Sequence, residues 1–314
     1  MPSLWAKLWI LCCKKVEYKQ LALTTFLETS MPSTRSWKAV TTLIVLSLVW
    51  STLFIAVKIA DQLVAPMTLM FDRALIATLC LAPFATVAYR KYSMTGLSLH
   101  WKQFFCCIIV GLLIAYMWLV IALAETVISS GIASLLTSSI YVFSWLICVC
   151  ILRNKPFDLR HALGVIVASI GLAGAVGLPH LLAHNTQLHS ALLFSSGFLA
   201  FAIASLLSKK YTNDLPVMFV TTLNLFFTTL FLGLGGMLHV LPWHQSYALH
   251  PMLSILWAGM ISTGIGYYLY FNLLNSDGPL FANCFGYLVP VFGLLLGVFL
   301  MNEKITWLQV AGIP

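Results

Sequence analysis

Charge is what this sequence has least of. Only 8% of its 314 residues are charged and only nine are acidic, too little polar surface to cover one globule in water. No Gly-Lys dipeptide occurs, so a Walker-type GxxxxGK loop, and energy from ATP on this chain, is unsupported. No segment alternates in the roughly 10-residue blocks of an outer-membrane barrel. A disulfide framework is missing too: Cys80, Cys106, Cys107, Cys148, Cys150 and Cys284 all fall inside apolar runs and read as small apolar fillers. The early piece "LWILCC" is too short and too poorly flanked for a cleavable signal or a span. Cys12 and Cys13 beside Lys14 and Lys15 form only a weak acylation signal.

What is present is apolar length. The chain is 61% hydrophobic, with a mean hydropathy of +0.95, in runs of roughly 20 residues that match the roughly 30 Å hydrocarbon core of a bilayer. These predict an all-α integral membrane protein with spans near residues 39–60, 67–89, 101–123, 127–151, 159–178, 190–208, 216–238, 251–274 and 279–301. A tenth begins at Trp307. Residues 1–38 read as a cytoplasmic leader, with Met31 as an alternative start. The net charge of +8 is better explained by orientation than by nucleic acid. With the N-terminus in the cytoplasm, all of the 17 basic residues except Lys58, Arg73 and Lys304 lie in the leader or in inner loops, as the positive-inside rule requires.

The chain also matches itself weakly. Asn154 falls on Asn302, Leu152 on Leu300 and Gly164 on Gly312, all at an offset of 148 residues. The same offset puts span four on nine and five on ten. A unit of five helices crosses an odd number of times, so its second copy is inverted, an architecture with a site at the repeat interface near mid-membrane. The repeat predicts that the tenth helix runs to about residue 325, past the last residue of the chain.

Two groups of motifs then point to a family. The second half reads "GMISTGIGYYLYFNLLNSDGPLFANCFGYLVPVFGLLLGVFLMNEKITWLQVAG", and the first contains "LVWSTLFIAVKIA" and "APMTLMFDRALIATLCLAP". Together they resemble the EamA-type branch of the drug/metabolite transporter superfamily, over about residues 39–314. The first half departs from the second, with Val142 where Pro290 stands and Lys155 where Glu303 stands. The resemblance implies two five-helix repeats, 39–178 and 190–314, the last incomplete. It further implies efflux of a small metabolite such as an amino acid or related amphipathic compound by alternating access, in a bacterial inner membrane. The partners implied are the substrate and membrane lipids, with a homodimer left open, and no cofactor, metal or nucleic acid.

Candidate site residues follow from polarity at mid-span. Arg73 lies seven residues past Pro66, hence roughly 10 Å along its helix, where an unpaired charge is expensive. Lys58 is expected to reach Asp72 on the antiparallel neighbour, or else to snorkel. Trp50, Tyr116, Tyr141, Tyr267 and Tyr270 join a ring to a polar handle, which suits an amphipathic ligand. Asn224 and Asn283 need hydrogen-bond partners, from helix packing or from ligand. Ser47, Ser51, Ser134, Thr137 and Ser138 suit helix packing. Coupling or gating would draw on Glu125, Asp277, Pro290 or Glu303, and proton coupling on Asp72, Glu125 or Asp277; a facilitator is the alternative. Pro290 removes a backbone donor inside a span, tolerable where a neighbour satisfies the freed carbonyl. Asn302, Glu303 and Lys304 form a turn that is either a solvated corner or a gate. His180, His184, His189, His239, His244 and His250 cluster in two outer loops. His180 and His184 leave open a membrane enzyme acting on a lipid-linked substrate, and a non-transporting scaffold is the other rival.

Overall fold

The computed structural model describes residues 37–60, 65–95, 98–128, 136–151, 185–237 and 249–301, with isolated positions at 133, 163, 164 and 167. Regular structure among them is helical throughout: α1 (Trp37–Ala60), α2 (Pro66–Ser93), α3 (Trp101–Glu125), α4 (Ser139–Leu146) running into a π-turn (Ile147–Ile151), α5 (Asn185–Tyr211) and α6 (Val217–Met237). There follow α7 (Leu249–Leu256), a π-segment (Trp257–Ile265), α8 (Gly266–Asp277), the single turn α9 (Pro279–Ala282) and α10 (Phe285–Met301). In hydrocarbon each backbone group must find its partner inside the segment, which leaves helices as the only solution for these sequences. Six are long and apolar enough to span: Trp37–Val57, Pro66–Ser93, Trp101–Glu125, Thr186–Tyr211, Val217–Gly235 and Met252–Asp277. The eighth expected span is thus one rod of α7, π-segment and α8. The tenth span and nearly all of the fifth lie outside the described residues.

Prolines and one glycine set the ends. Pro66 and Pro279 occupy first-turn positions of α2 and α9, where the missing N–H is unpaired in any helix. Gly278 sits at φ 84°, a conformation that side chains resist, and it reverses the chain between α8 and α9.

The packing repeats itself at the offset seen in the sequence. The helix α1 packs on the π-segment and α8 as α5 packs on α3; α2 packs on the π-segment as α6 packs on α3; α1 packs on α10 as α5 packs on α4. The pairs α2–α6 and α4–α10 are their own counterparts. Gly111 of α3 is pressed onto α6, where an added Cβ would lie 3.0 Å from the Asn224 carbonyl. Gly259, its counterpart 148 residues on, is pressed onto α2, 2.7 Å from Ile76, and Ile76 is the counterpart of Asn224. On the axis itself a residue must meet its own image, and the Ser138 hydroxyl donates to the Gly286 carbonyl at 2.9 Å across a separation of 148 residues. This is the contact pattern of two repeats related by a two-fold axis. Lipid offers no hydrophobic drive for helix association, so such small-residue seats and buried hydrogen bonds hold the bundle together.

The hydroxyl stripes serve this packing. Ser47 and Ser51 are fully buried and bond to carbonyls one turn back, with Ser51 also reaching Val289 of α10 at 3.0 Å. Thr78 and Thr229 meet at 3.2 Å between α2 and α6. Pro290 lies inside α10 and leaves the Gly286 carbonyl without its helical donor; that is the carbonyl Ser138 occupies. The described cysteines Cys80, Cys106, Cys107, Cys148 and Cys284 stand outside any disulfide, buried or half-buried.

Candidate functional site

Three helices carry apolar ladders that face one another. Trp50, Leu53 and Val57 descend α1, Trp118, Ile121 and Glu125 descend α3, and Phe194, Phe198 and Phe201 climb α5. Each ladder spans about seven residue steps, roughly 10 Å of helix. They enclose a cavity of about 90 Å³, completed by Met70 and Arg73 from α2, Met117 from α3, Thr137, Tyr267 from α8, and Phe285 and Val289 from α10. Both repeats supply wall, and the wall is almost wholly apolar and aromatic. Its ionisable groups are Arg73 and Glu125, together with the Tyr267 phenol.

Arg73 is 5% exposed and held on three sides. Its Cζ lies 3.9 Å from the centre of the Trp118 ring, a cation–π stack that is worth more when desolvated. Its Nε donates to Thr263 Oγ1 at 3.2 Å, and Nη1 is 3.5 Å from Met70 Sδ. Trp118 is oriented in turn, since its Nε1 donates to the Tyr267 hydroxyl at 2.9 Å. Opposite, the Trp50 indole donates to the Ser262 carbonyl at 2.9 Å. Its ring meets Phe285 edge-on at 4.3 Å and lies 5.6 Å from both Tyr267 and Tyr270.

Beyond the aromatic wall the bundle is sealed at one end. Tyr270 is fully buried, and its hydroxyl donates to Asn283 Oδ1 at 2.8 Å. The Asn283 amide donates to Ser144 Oγ at 2.6 Å and Ser205 Oγ at 3.4 Å. One side chain thus ties α4, α5 and α8 together. A turn further along α5, Lys209 donates to Asn213 Oδ1 and to the Asn275 carbonyl. Toward the other end Val57 and Glu125 are only half-buried, so the mouth lies on the side of Phe194 and Glu125.

Trp50, Arg73, Glu125 and Tyr267 therefore meet in the cavity, while the remaining candidates separate from it. Tyr270 and Asn283 stand behind the wall in the seal, and Pro290 is buried beside Val289. Tyr116 is 40% exposed and pairs with Ser196 at 2.9 Å; a helix turns about 100° per residue, which puts it outside although Met117 and Trp118 line the wall. Tyr141 packs against Tyr287 at 5.1 Å, away from the lining. Asn224 is fully buried against α3, and its side-chain oxygen and nitrogen have no hydrogen-bond partner among the described residues. Asp72 is half-buried and off the lining, and the side chain of Lys58 lies outside the described residues, so their expected pairing does too. Asp277 sits at the sealed end, accepting from Ser276 at 2.6 Å. Glu303, His180, His184, His239 and His244 are likewise outside the described residues.

Trp118, Thr263 and the three phenylalanines of α5 were not among the residues the sequence singled out. The ladders 118, 121, 125 and 194, 198, 201 follow helical spacing. In a span that is apolar on every face, that spacing distinguishes no side.

The chain resembles known proteins over most of its length. It is 26% identical over 275 residues to an uncharacterized transporter of Archaeoglobus fulgidus, covering 84% of this chain and 90% of the relative. It is 25% identical over 274 residues to a WAT1-related protein of Arabidopsis thaliana, covering 76% and 70%. The uncharacterized transporter YoaV of Bacillus subtilis is 22% identical over 265 residues, covering 84% and 89%. A solved crystal structure at 18% identity superposes with a TM-score of 0.67 over 88% of this chain and 93% of that one, a likeness of fold. The EamA-like transporter family matches residues 37–177 and 189–314, so with both repeats accounted for this chain belongs to the EamA-like transporter family.

Proposed function

We propose that this chain is a secondary carrier that exports a small amphipathic metabolite, an amino acid or close derivative, by alternating access. The observation that carries this reading is the pairing of one buried cation with an aromatic wall inside a cavity built from both repeats. Arg73 suits a carboxylate, for which its planar fork is the best protein partner. Phe194, Phe198, Phe201, Phe285 and Trp50 suit an apolar or aromatic side chain. Glu125 stands at the mouth, where it suits the ammonium group of a zwitterion or a coupling proton. With the N-terminus in the cytoplasm, as the basic residues favour, the mouth faces outward and the Tyr270–Asn283 seal faces the cytoplasm. The conformation described is then the outward-facing one. Rocking of repeat 39–178 against 190–314 would open the seal and close the mouth around the same cavity. In this reading residues 1–38 are a cytoplasmic leader, the membrane is a bacterial inner membrane, and Lys58 and Asp72 form a lock between α1 and α2.

Counterflow into proteoliposomes of the full chain, screened over amino acids and their decarboxylated or amidated analogues, tests the proposal. Saturable uptake of a carboxylate substrate, reduced at least tenfold by Arg73→Ala and partly kept by Arg73→Lys, is the expected result. Equal uptake by wild type and Arg73→Ala would sink the assignment of the anion site.

A further inference from the structure

The cavity's two polar anchors depend on two adjacent residues of a single irregular segment. In a regular helix the Gly266 N–H would bond to the Ser262 carbonyl. Here it bonds one residue further back, to Ile261, and the Ser262 carbonyl is left for the Trp50 indole. The next residue, Thr263, supplies the hydroxyl that accepts from Arg73 Nε. Three residues earlier than Ser262, Gly259 lets the same segment seat directly on α2, where an added Cβ would lie 3.3 Å from the Arg73 carbonyl. Residues 259, 262 and 263 of the second repeat thus hold the backbone of Arg73, the ring of Trp50 and the guanidinium of Arg73, all in the first. The first repeat has no matching device: the counterpart of Thr263 is Ala115, and that stretch of α3 is a regular helix.

Thr263 is fully buried and is not part of the cavity wall. It reaches a ligand only through Arg73. Trp118 covers the face of the guanidinium, Thr263 engages Nε and Nη1 meets only the weak Met70 thioether acceptor, which leaves Nη2, and Nη1 by exchange of that weak contact, for a ligand. An arginine side chain carries about 2 kcal/mol of rotamer entropy when free, so holding it in advance strengthens ligand binding without adding a ligand contact. We propose that Thr263, presented by the π-segment, is the positioning residue that fixes Arg73 for anion recognition. This rests on the reading of Arg73 as the carboxylate site, and the experiment separates the two.

The full chain would be compared as wild type, Thr263→Val, Thr263→Ala and Thr263→Ser in proteoliposomes. One readout needs no substrate: the rate at which phenylglyoxal modifies Arg73, followed on the peptide by mass spectrometry. The second is counterflow of L-phenylalanine, with L-phenylalaninamide as an uncharged competitor. Thr263→Val and Thr263→Ala are expected to speed Arg73 modification several-fold and to raise half-saturation for L-phenylalanine about tenfold. Maximal rate and competition by the amide stay unchanged, and Thr263→Ser returns both readouts to wild type. An unchanged modification rate in both Val and Ala variants overturns the positioning role, whatever transport does. Faster modification with unaltered L-phenylalanine kinetics, or with no L-phenylalanine transport by wild type, leaves Thr263 positioning Arg73 and defeats the carboxylate reading instead.

Discussion

At the residue scale, the economical feature is the way one side chain repairs what another breaks. Pro290 removes an N–H from α10, and Ser138 fills the carbonyl that is freed. Hydrogen bonds between membrane helices average about 0.6 kcal/mol and reach about 1.7, so Ser138→Ala is expected to lower stability within that range. In a Pro290→Ala background the carbonyl regains its helical donor, and the same Ser138→Ala change should cost less. Thermal unfolding in detergent over the four variants reads this coupling, and equal costs in both backgrounds would refute the repair. Arg73 shows the same economy with a charge. An unpaired cation at that depth is expensive, yet ring face, hydroxyl and thioether each take a side of it.

Elements are held together by seats rather than by bulk. Gly111 and Gly259 occupy equivalent places 148 residues apart, and at each an added Cβ would strike a neighbouring helix. Gly259→Ala puts a methyl 2.7 Å from Ile76 Cβ, an atom too close to the backbone to swing aside, so a loss of about 1–3 kcal/mol is expected. Gly235 of α6 meets nothing within 4 Å, and Gly235→Ala is expected to be neutral or to gain up to about 1 kcal/mol from helix propensity. Melting temperatures of the two variants falling together would show that the seat has no special role. The π-segment belongs to this scale too, because a widened turn both offers a carbonyl to Trp50 and brings the rod onto α2.

For the whole molecule, the proposed carrier makes the seal and the mouth opposite ends of one device. Asn283 joins Tyr270, Ser144 and Ser205, and removing its amide takes all three of these bonds from the seal. Asn283→Ala is therefore expected to favour the state opened at the Lys209 end. In a cysteine-free background carrying Phe201→Cys, wild-type Asn283 should restrict labelling by an impermeant maleimide to the Glu125 side, and Asn283→Ala should add labelling from the other. Labelling from the Glu125 side alone in both would count against the seal.

Much of this was legible beforehand. Apolar run lengths determined the helices, because bilayer thickness and the need to satisfy every backbone group leave no other solution. The motifs around Trp50, Arg73 and Pro290 pointed to the family, and the offset between Asn154 and Asn302 located the repeat. A mid-span Arg73 was marked by the cost of its charge alone. What the chain order could not convey was direction around each helix. Tyr116 and Trp118 differ by two residues, yet one faces outward and the other forms the wall, because neighbours rather than polarity choose the inner face in an apolar span. The π-register that aligns Ser262 with Trp50 and Thr263 with Arg73 arises only when α2, the π-segment and α8 are packed together. Tertiary structure therefore decided which polar groups became a site and which became a seal.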